Sequence, residues 1–286
     1  MHIAIIGLGE VGQAYASALR QAGHALFLCD ANPSSRALDL ARSWDLPVHR
    51  SIGGWLASCQ WILSCVTGAA ASQVVQQCVP CAPAAATLCD LTTASPDAKR
   101  AASSAAHQHG LQYLDVAIMG AVALSQHRTP LLVAGDAALA FQEWMGHAGA
   151  KVALIQDGVA GDAIALKILR SIFTKGLEAL SVELLMTAER QGVREKLYAQ
   201  LQDLDETPLR TFIDMLVRTH VVHARRRVHE VRDAAAVMAG QHIPSLVLPG
   251  VESRFEKTIS QLDQDPLSPA QPTTEQALQW LLAHQG

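Results

Sequence analysis

An α/β half followed by an all-helical half is the fold class this sequence predicts, and three observations predict it. Up to about residue 155, short apolar runs alternate with amphipathic stretches, as in a parallel sheet covered by helices. After Gly161 the strand signal stops, and long stretches of 3.6-residue periodicity take over, punctuated at Gly192, Pro208, Gly240 and Pro249. The chain has 286 residues, 50% of them hydrophobic and 17% charged, which suits a large core in one or two domains. We place the boundary between residues 158 and 159, giving a sheet domain over 1–158 and an all-α domain over 159–286.

Strands are expected at His2–Ile6, Ala25–Cys29, Trp61–Val66, Thr87–Asp90, Gln112–Ala117, Leu131–Ala134 and Val152–Ile155. Each is a short run rich in strand-forming residues and bounded by turn formers, and helices fill most of the gaps. Residues 263–274, with Pro266, Pro269 and Pro272, read as a loose linker to a last short helix at about 275–284.

A formal charge of −4 and the lack of a basic stripe exclude a polyanion-wrapping surface, so no nucleic-acid partner is expected. No apolar run reaches the roughly 18 to 20 residues of a membrane span. His2–Ile6 runs straight into a glycine loop, leaving no room for a leader, so a soluble cytoplasmic protein is expected. The six cysteines lie in the first third, several in apolar runs where a reduced thiol packs as a small hydrophobe. Cys78-Val-Pro-Cys81 has the spacing of a redox pair or half a zinc site, but no second Cys or His pair accompanies it, and no metal is assigned.

Gly7-Leu-Gly9-Glu-Val-Gly12 follows the first strand and opens a helix that ends at Gly23. In that context the spacing has a mechanical meaning. Gly7 permits the turn, Gly9 lets the backbone approach a diphosphate, and Gly12 allows close packing of helix on strand. Gly7, Leu8, Gly9, Glu10, Val11 and Gly12 are therefore the expected cofactor cradle, with phosphates on free amides at the positive helix end. This is the fingerprint of a Rossmann doubly wound sheet. Asp30 ends the second strand about 18 residues later, where a carboxylate accepts ribose hydroxyls and repels a 2′-phosphate, so NAD is favoured. Arg36 lies near enough in sequence to clamp a phosphate, leaving NADP open, and Asp30 has a second reading as a helix cap ahead of Ser34.

With Gly23-His24, Asp90-Leu-Thr92-Thr93-Ala-Ser-Pro96, Asp115-Val-Ala-Ile-Met-Gly120 and a helix bearing Lys167, the loop resembles the β-hydroxyacid dehydrogenase family. That family includes the 3-hydroxyisobutyrate, tartronate semialdehyde and 6-phosphogluconate dehydrogenases. The stretches 166–180 and 223–230 resemble its short branch, the 6-phosphogluconate dehydrogenase-like proteins with a distinct C-terminal domain of unassigned function. The resemblance implies hydride transfer between NAD or NADP and the hydroxyl-bearing carbon of a small-molecule substrate, a hydroxyacid or related alcohol. It further implies a lysine exchanging the hydroxyl proton, a site in the cleft between the halves, and a homodimer. Developing charge on the substrate oxygen requires such a proton carrier. Lys167 occupies the matching position, with Ser171 one turn on and Lys175 as a rival two turns on.

Helical geometry puts Leu166, Leu169, Phe173, Leu177, Leu180 and Leu184 on one apolar stripe, expected to pack, and Lys167, Ser171, Thr174 and Glu178 on a polar face. The chain departs from the family in carrying Ser171 for an asparagine, and Met119, Gly120 and Ala121 where a serine and two glycines stand. A bulkier or more apolar substrate would suit Met119. Thr67 and Thr93 match cofactor-contacting positions, or else cap the following helices. In Arg225-Arg-Arg227, either Arg226 or Arg227 is expected to bind a substrate carboxylate or phosphate, the other reading being a solvated or intersubunit face. Two further functions fit the same motifs: an imine reductase, whose relatives usually replace the lysine, and a non-catalytic NAD sensor.

Overall fold

The structure, a computed structural model, describes residues 1–285. Eight strands form one sheet: β1 (His2–Ile6), β2 (Ala25–Cys29), β3 (Val48–His49), β4 (Trp61–Ser64), β5 (Thr87–Asp90), β6 (Gln112–Ile118), β7 (Leu131–Gly135) and β8 (Val152–Leu154). Their spatial order is β3-β2-β1-β4-β5-β6-β7-β8. The order reverses between β1 and β4, the switch point at which doubly wound sheets open a ligand crevice. Between the strands lie α1 (Glu10–Gln21), α2 (Ser35–Ser43), α3 (Ala71–Cys78), α4 (Pro96–Gln108), α5 (Val122–Ser125) and α6 (Ala138–His147).

Successive β1 residues feed two cores. Ile3 and Ile5 join Tyr15, Leu19, Leu63, Phe141 and Trp144, whereas Ala4 and Ile6 join Ile62, Val74, Leu88 and Tyr113. Burial of both faces explains why these strands read as unbroken apolar runs. The all-parallel expectation fails at one place, since β7 runs antiparallel to β6. The connection between them holds only α5 and one 3-10 turn, too little chain for a crossover helix, so β7 returns directly. The two-residue β3, absent from the sequence reading, is too short to carry a periodic signal.

Four of the six cysteines, Cys29, Cys59, Cys78 and Cys89, are buried. Burial raises the Cys29 and Cys59 thiols to about 11 and Cys78 to about 12, the last also through the neighbouring Cys29, Cys81 and Cys59. All six cysteines are free thiols.

The remaining helices are α7 (Asp162–Arg190), α8 (Arg194–Gln200), α9 (Gln202–Glu206), α10 (Leu209–Gly240), α11 (Leu248–Gln264) and α12 (Thr274–Ala283). The chain divides into two compact units, Met1–Ile172 and Phe173–Gly286. The first unit runs past residue 158 because the start of α7 packs on the sheet, Ala163 being buried against Ala117 and Ala134. In the second unit α10 carries Val221 into a small core with Ala277, Trp280 and Leu281 of α12. A capping box of Thr273 and Gln276 starts α12. Among the described residues no helix is long and apolar enough to cross a membrane.

Candidate functional site: a dinucleotide groove and a buried charge cluster

The turn from β1 into α1 is built around two glycines that nothing larger could replace. Gly7 has φ +89°, and a Cβ there would lie 2.9 Å from the Cys65 carbonyl carbon. A Cβ on Gly12 would lie 1.9 Å from the Gly7 carbonyl oxygen, so α1 sits against the loop at glycine distance. Gly9 caps α1 without a side-chain bond, and a Cβ there would meet nothing within 4 Å. The open space belongs to a cavity of about 470 Å³ lined by Gly7, Gly9, Asp30, Arg50, Cys65, Val66 and Thr67, among others. An amide-lined helix start facing unfilled space is a cradle suited to a diphosphate, and the residues present fit NAD or NADP.

Asp30 holds this loop in shape. Its Oδ2 accepts from the Leu8 amide at 2.6 Å and its Oδ1 from the Asn32 amide at 2.8 Å. The helix-cap reading of Asp30 is corrected, because Ser34 caps α2 by accepting from the Ala37 amide. Arg36, which the sequence left open as a phosphate clamp, lines a different cavity with Glu10, Gln13 and His127. The guanidinium that lines the groove is Arg50, just past β3, which donates to the Ala31 carbonyl at 3.4 Å. The sequence reading missed it because β3 itself went unread.

Thr67 lines the groove and makes no side-chain cap. Gly68 passes within van der Waals reach of the Thr93–Ala94 backbone, since a Cβ on it would lie 3.0 Å from the Ala94 nitrogen. Thr93 is exposed, and α4 is capped by Ser95, which accepts from the Ala98 amide. The loops bearing Thr67 and Thr93 are thus adjacent, and neither threonine makes a capping hydrogen bond with its side chain.

At the end of β5 and the middle of β6, where Asp90 pairs in register with Asp115, lies the group of residues that sequence reasoning overlooked. Lys99 of α4 is fully buried. Its ammonium donates to Asp115 Oδ1 at 2.6 Å and to the Asp90 carbonyl at 2.9 Å, and lies 3.7 Å from Asp90 Oδ1. Asp90 also accepts from the Thr92 amide at 2.8 Å and the Tyr113 hydroxyl at 2.6 Å. Burial, with Asp90 beside it, pushes the Tyr113 hydroxyl far above the ordinary phenol range, so Tyr113 is a neutral donor. The second oxygen of Asp115 accepts from the Gly161 and Ile164 amides, each at 3.1 Å. These bonds satisfy two donors at the start of α7, which would otherwise be orphaned inside the protein.

Lys167 stands one turn beyond Ala163 on α7 and is partly buried. Burial lowers its pKa from the ordinary lysine value, and the nearby Lys99 ammonium lowers it further. Met119 packs against the Ala117, Ala134 and Ala163 cluster below that turn, and its amide donates to the Pro130 carbonyl at 2.8 Å. Gly120 is exposed beside Thr129.

Further along α7 the environment changes. Ser171 is exposed and donates to the Lys167 carbonyl at 3.0 Å, while Lys175 is exposed and paired with Glu178 at 2.5 Å. The apolar stripe does not pack within the chain: Leu169 is 59% exposed and Leu177 50%. In the second unit, Arg226 pairs with Glu230, Arg225 with Asp263, and Arg227 donates to Thr219 Oγ1 at 3.0 Å.

Residues 2–156, just over half of the chain, match the family described as the NAD binding domain of 6-phosphogluconate dehydrogenase. The chain belongs to that family. Residues 188–258 of this 6-phosphogluconate dehydrogenase-like chain match a second family, DUF1932, a domain of unknown function. A solved conserved protein of unknown function, described as similar in structure to 3-hydroxyacid dehydrogenases, shares 27% identity over 91% of this chain and 97% of its own, with a TM-score of 0.63. An imine reductase and a reductive aminase share the fold. An imine reductase from Myxococcus stipitatus in complex with NAD+ is 18% identical over 98% of this chain and 99% of its own, at a TM-score of 0.74. A reductive aminase from Aspergillus terreus in complex with NADPH is 15% identical over 98% of this chain and 99% of its own, at a TM-score of 0.68. An uncharacterised 28.5 kDa protein of Methanothermus fervidus is 30% identical over 100 residues, 34% of this chain and 38% of that relative's length. This 6-phosphogluconate dehydrogenase-like chain therefore has an NAD(P)-binding oxidoreductase fold shared by hydroxyacid dehydrogenases and imine reductases.

Proposed function

We propose that the chain is an NAD(P)-dependent dehydrogenase or reductase acting on a small hydroxyacid or related alcohol or carbonyl compound, with Lys167 as the proton-transfer residue. The observation that carries this reading is the setting of Lys167 on the first turns of α7, partly desolvated and beside a second ammonium, which favours its neutral, proton-accepting form. Lys175, exposed and paired with Glu178, lacks that setting. Bound nicotinamide supplies or accepts the hydride. The protein's part is to hold the diphosphate on the amides of Gly7 to Gly12, to keep Asp30 and Thr67 along the groove, and to exchange the hydroxyl proton at Lys167 Nζ.

Asp30 favours NAD over NADP through its negative charge in the groove. Met119, in place of a serine, favours a substrate with an apolar substituent, and Arg226 or Arg227 is a candidate for a substrate anion. The exposed stripe from Leu166 to Leu184 supports a homodimer that covers it, checked by light scattering of the full chain.

The test is a hydride-transfer screen with both cofactors over hydroxyacids, phosphorylated sugars, phenyl-substituted alcohols and cyclic imines. Turnover of a hydroxyl compound, cut by about 10² to 10⁴ in Lys167→Met, supports the reading. Turnover of imines alone would replace it with an imine reductase, and cofactor binding without any turnover would replace it with a sensor. Met119→Ser should shift preference toward smaller hydroxyacids.

A further inference from the structure

We propose that Lys99 is a positioning residue for Lys167, acting through Asp115. The inference rests on the reading of Lys167 as the proton-transfer residue. Its geometry is a chain of contacts within the first unit. Lys99 is wholly buried and holds Asp115 Oδ1 at 2.6 Å, and the other oxygen of Asp115 holds the amides of Gly161 and Ile164 at 3.1 Å. Lys167 follows Ile164 by three residues, so the turn that Asp115 ties down is the turn that presents Lys167. The Ala163 contact with Ala117 and Ala134 fixes the same turn from its apolar side.

A buried lysine is an expensive way to orient one aspartate, because ion-pair desolvation offsets most of the attraction. An apolar core would be cheaper here if the only requirement were stability. What the ammonium adds is a fixed positive charge near Lys167 that a hydrophobic substitute would not provide. The ionisable groups on the elements packed here are Asp97, Lys99, Arg100 and His107 on α4, Cys89 and Asp90 on β5, Tyr113 and Asp115 on β6, and, within two turns of Lys167 on α7, Asp162 and Arg170. Arg100 pairs with Asp97 at 2.8 Å, and Asp162 accepts from the Val159 amide at 2.9 Å. Asp90 and Asp115 are both drawn onto Lys99, so the cluster carries one ammonium and two carboxylates, a net charge of −1. Within it the Lys99 ammonium favours a neutral Lys167, and the Asp115 cap keeps its turn from fraying.

The experiment reads Lys167 directly, without turnover. The full chain has six lysines, few enough for their amines to be ¹³C-dimethylated and titrated by NMR, with Lys167 assigned from Lys167→Arg. In the native protein the Lys167 signal should titrate below the lysine signals of the same protein in denaturant. In Lys99→Met/Asp90→Asn, which keeps the cluster's net charge at −1, it should move up by about one pH unit, a tenfold change in the neutral fraction. Exchange protection of the Ile164 amide should fall about tenfold, and the pH profile of turnover should move with the Lys167 titration. A folded variant in which titration, profile and Ile164 protection all stay in place overturns the proposal. So does a native Lys167 that titrates as in the denatured chain, a result needing no variant to fold. Undiminished turnover in Lys167→Met would sink only the catalytic reading, since the titration decides the positioning role by itself.

Discussion

Lys99 and Asp115, both shut off from solvent, meet at 2.6 Å between α4 and β6, and Asp115 uses its other oxygen to start α7. Removing one partner of such a pair leaves an uncompensated buried charge, so Lys99→Ala should cost about 3–5 kcal/mol in urea unfolding of the full chain. Replacing both, as in Lys99→Met/Asp115→Leu, should not restore stability as it would for a simple ion pair. The Gly161 and Ile164 amides would still lack acceptors, at about 1–3 kcal/mol each. A loss below 1 kcal/mol in Lys99→Ala would show that the contact is not made as described.

The glycine loop separates fold from binding. Gly12→Ala places a methyl 1.9 Å from the Gly7 carbonyl oxygen and should destabilise the chain by about 3 kcal/mol. Gly9→Ala meets no atom within 4 Å, and its φ of −70° suits alanine, so stability should stay within about 0.5 kcal/mol. The new methyl nevertheless projects into the diphosphate space, and NAD+ affinity by calorimetry should fall about tenfold, roughly 1.4 kcal/mol. Equal NAD+ binding by the Gly9 variant would move the diphosphate elsewhere.

Cofactor choice should turn on Asp30 and Arg50, which line the groove with opposite charges. Asp30→Asn keeps an acceptor for the Leu8 amide while removing the repulsion, and should raise NADP+ affinity relative to NAD+ by about tenfold. Adding Arg50→Ala should reverse that gain. Competition with 2′-phosphorylated and plain adenosine nucleotides provides the measurement, and an unchanged ratio in both variants would refute the assignment.

His220 makes the second unit acid-sensitive. Burial against Phe255 and the positive charges of Arg254 and Arg227 lower its pKa from 6.5 to about 4, and its ring is hydrogen-bonded to the buried Thr258 hydroxyl at 2.9 Å. Because the folded value lies below the unfolded one, the unfolded chain takes up more protons between pH 6.5 and about 4. The stabilisation is complete above that window and is lost as the pH falls through it, up to about 3 kcal/mol. His220→Gln should flatten the dependence of the urea midpoint between pH 7 and 4; a slope equal to that of the parent chain would rule His220 out.

Much of the first unit was legible because its signals are local. Seven strands, the glycine loop and Asp30 are each written within a few consecutive residues, so the turn chemistry and apolar runs place them. The Lys99 cluster is not local. Lys99 lies sixteen residues from Asp115 in a Pro-Asp-Ala-Lys-Arg run that reads as an ordinary solvated helix start. A signal was nonetheless present: Asp90 and Asp115 each sit in an otherwise apolar strand, and two carboxylates buried in one sheet require a cation nearby. Arg50 was lost for a different reason, since the two residues of β3 are ordered by pairing with β2 and have no pattern of their own. The exposed stripe on α7 shows the opposite error, where periodicity gave the right face and could not tell what covers it.

The burial of the thiols decides how the protein can be handled at the bench. Cys29, Cys59 and Cys78 have so little thiolate at mildly alkaline pH that air oxidation and alkylating reagents would act on them slowly in the folded state. Cys65 and Cys81 are the two partly open thiols, and burial pushes the Cys65 thiol up to about 12. Cys81, in the turn after α3, is then the natural attachment point for a single maleimide dye. A fluorophore placed there would report on the sheet unit from a residue that does not itself line the groove.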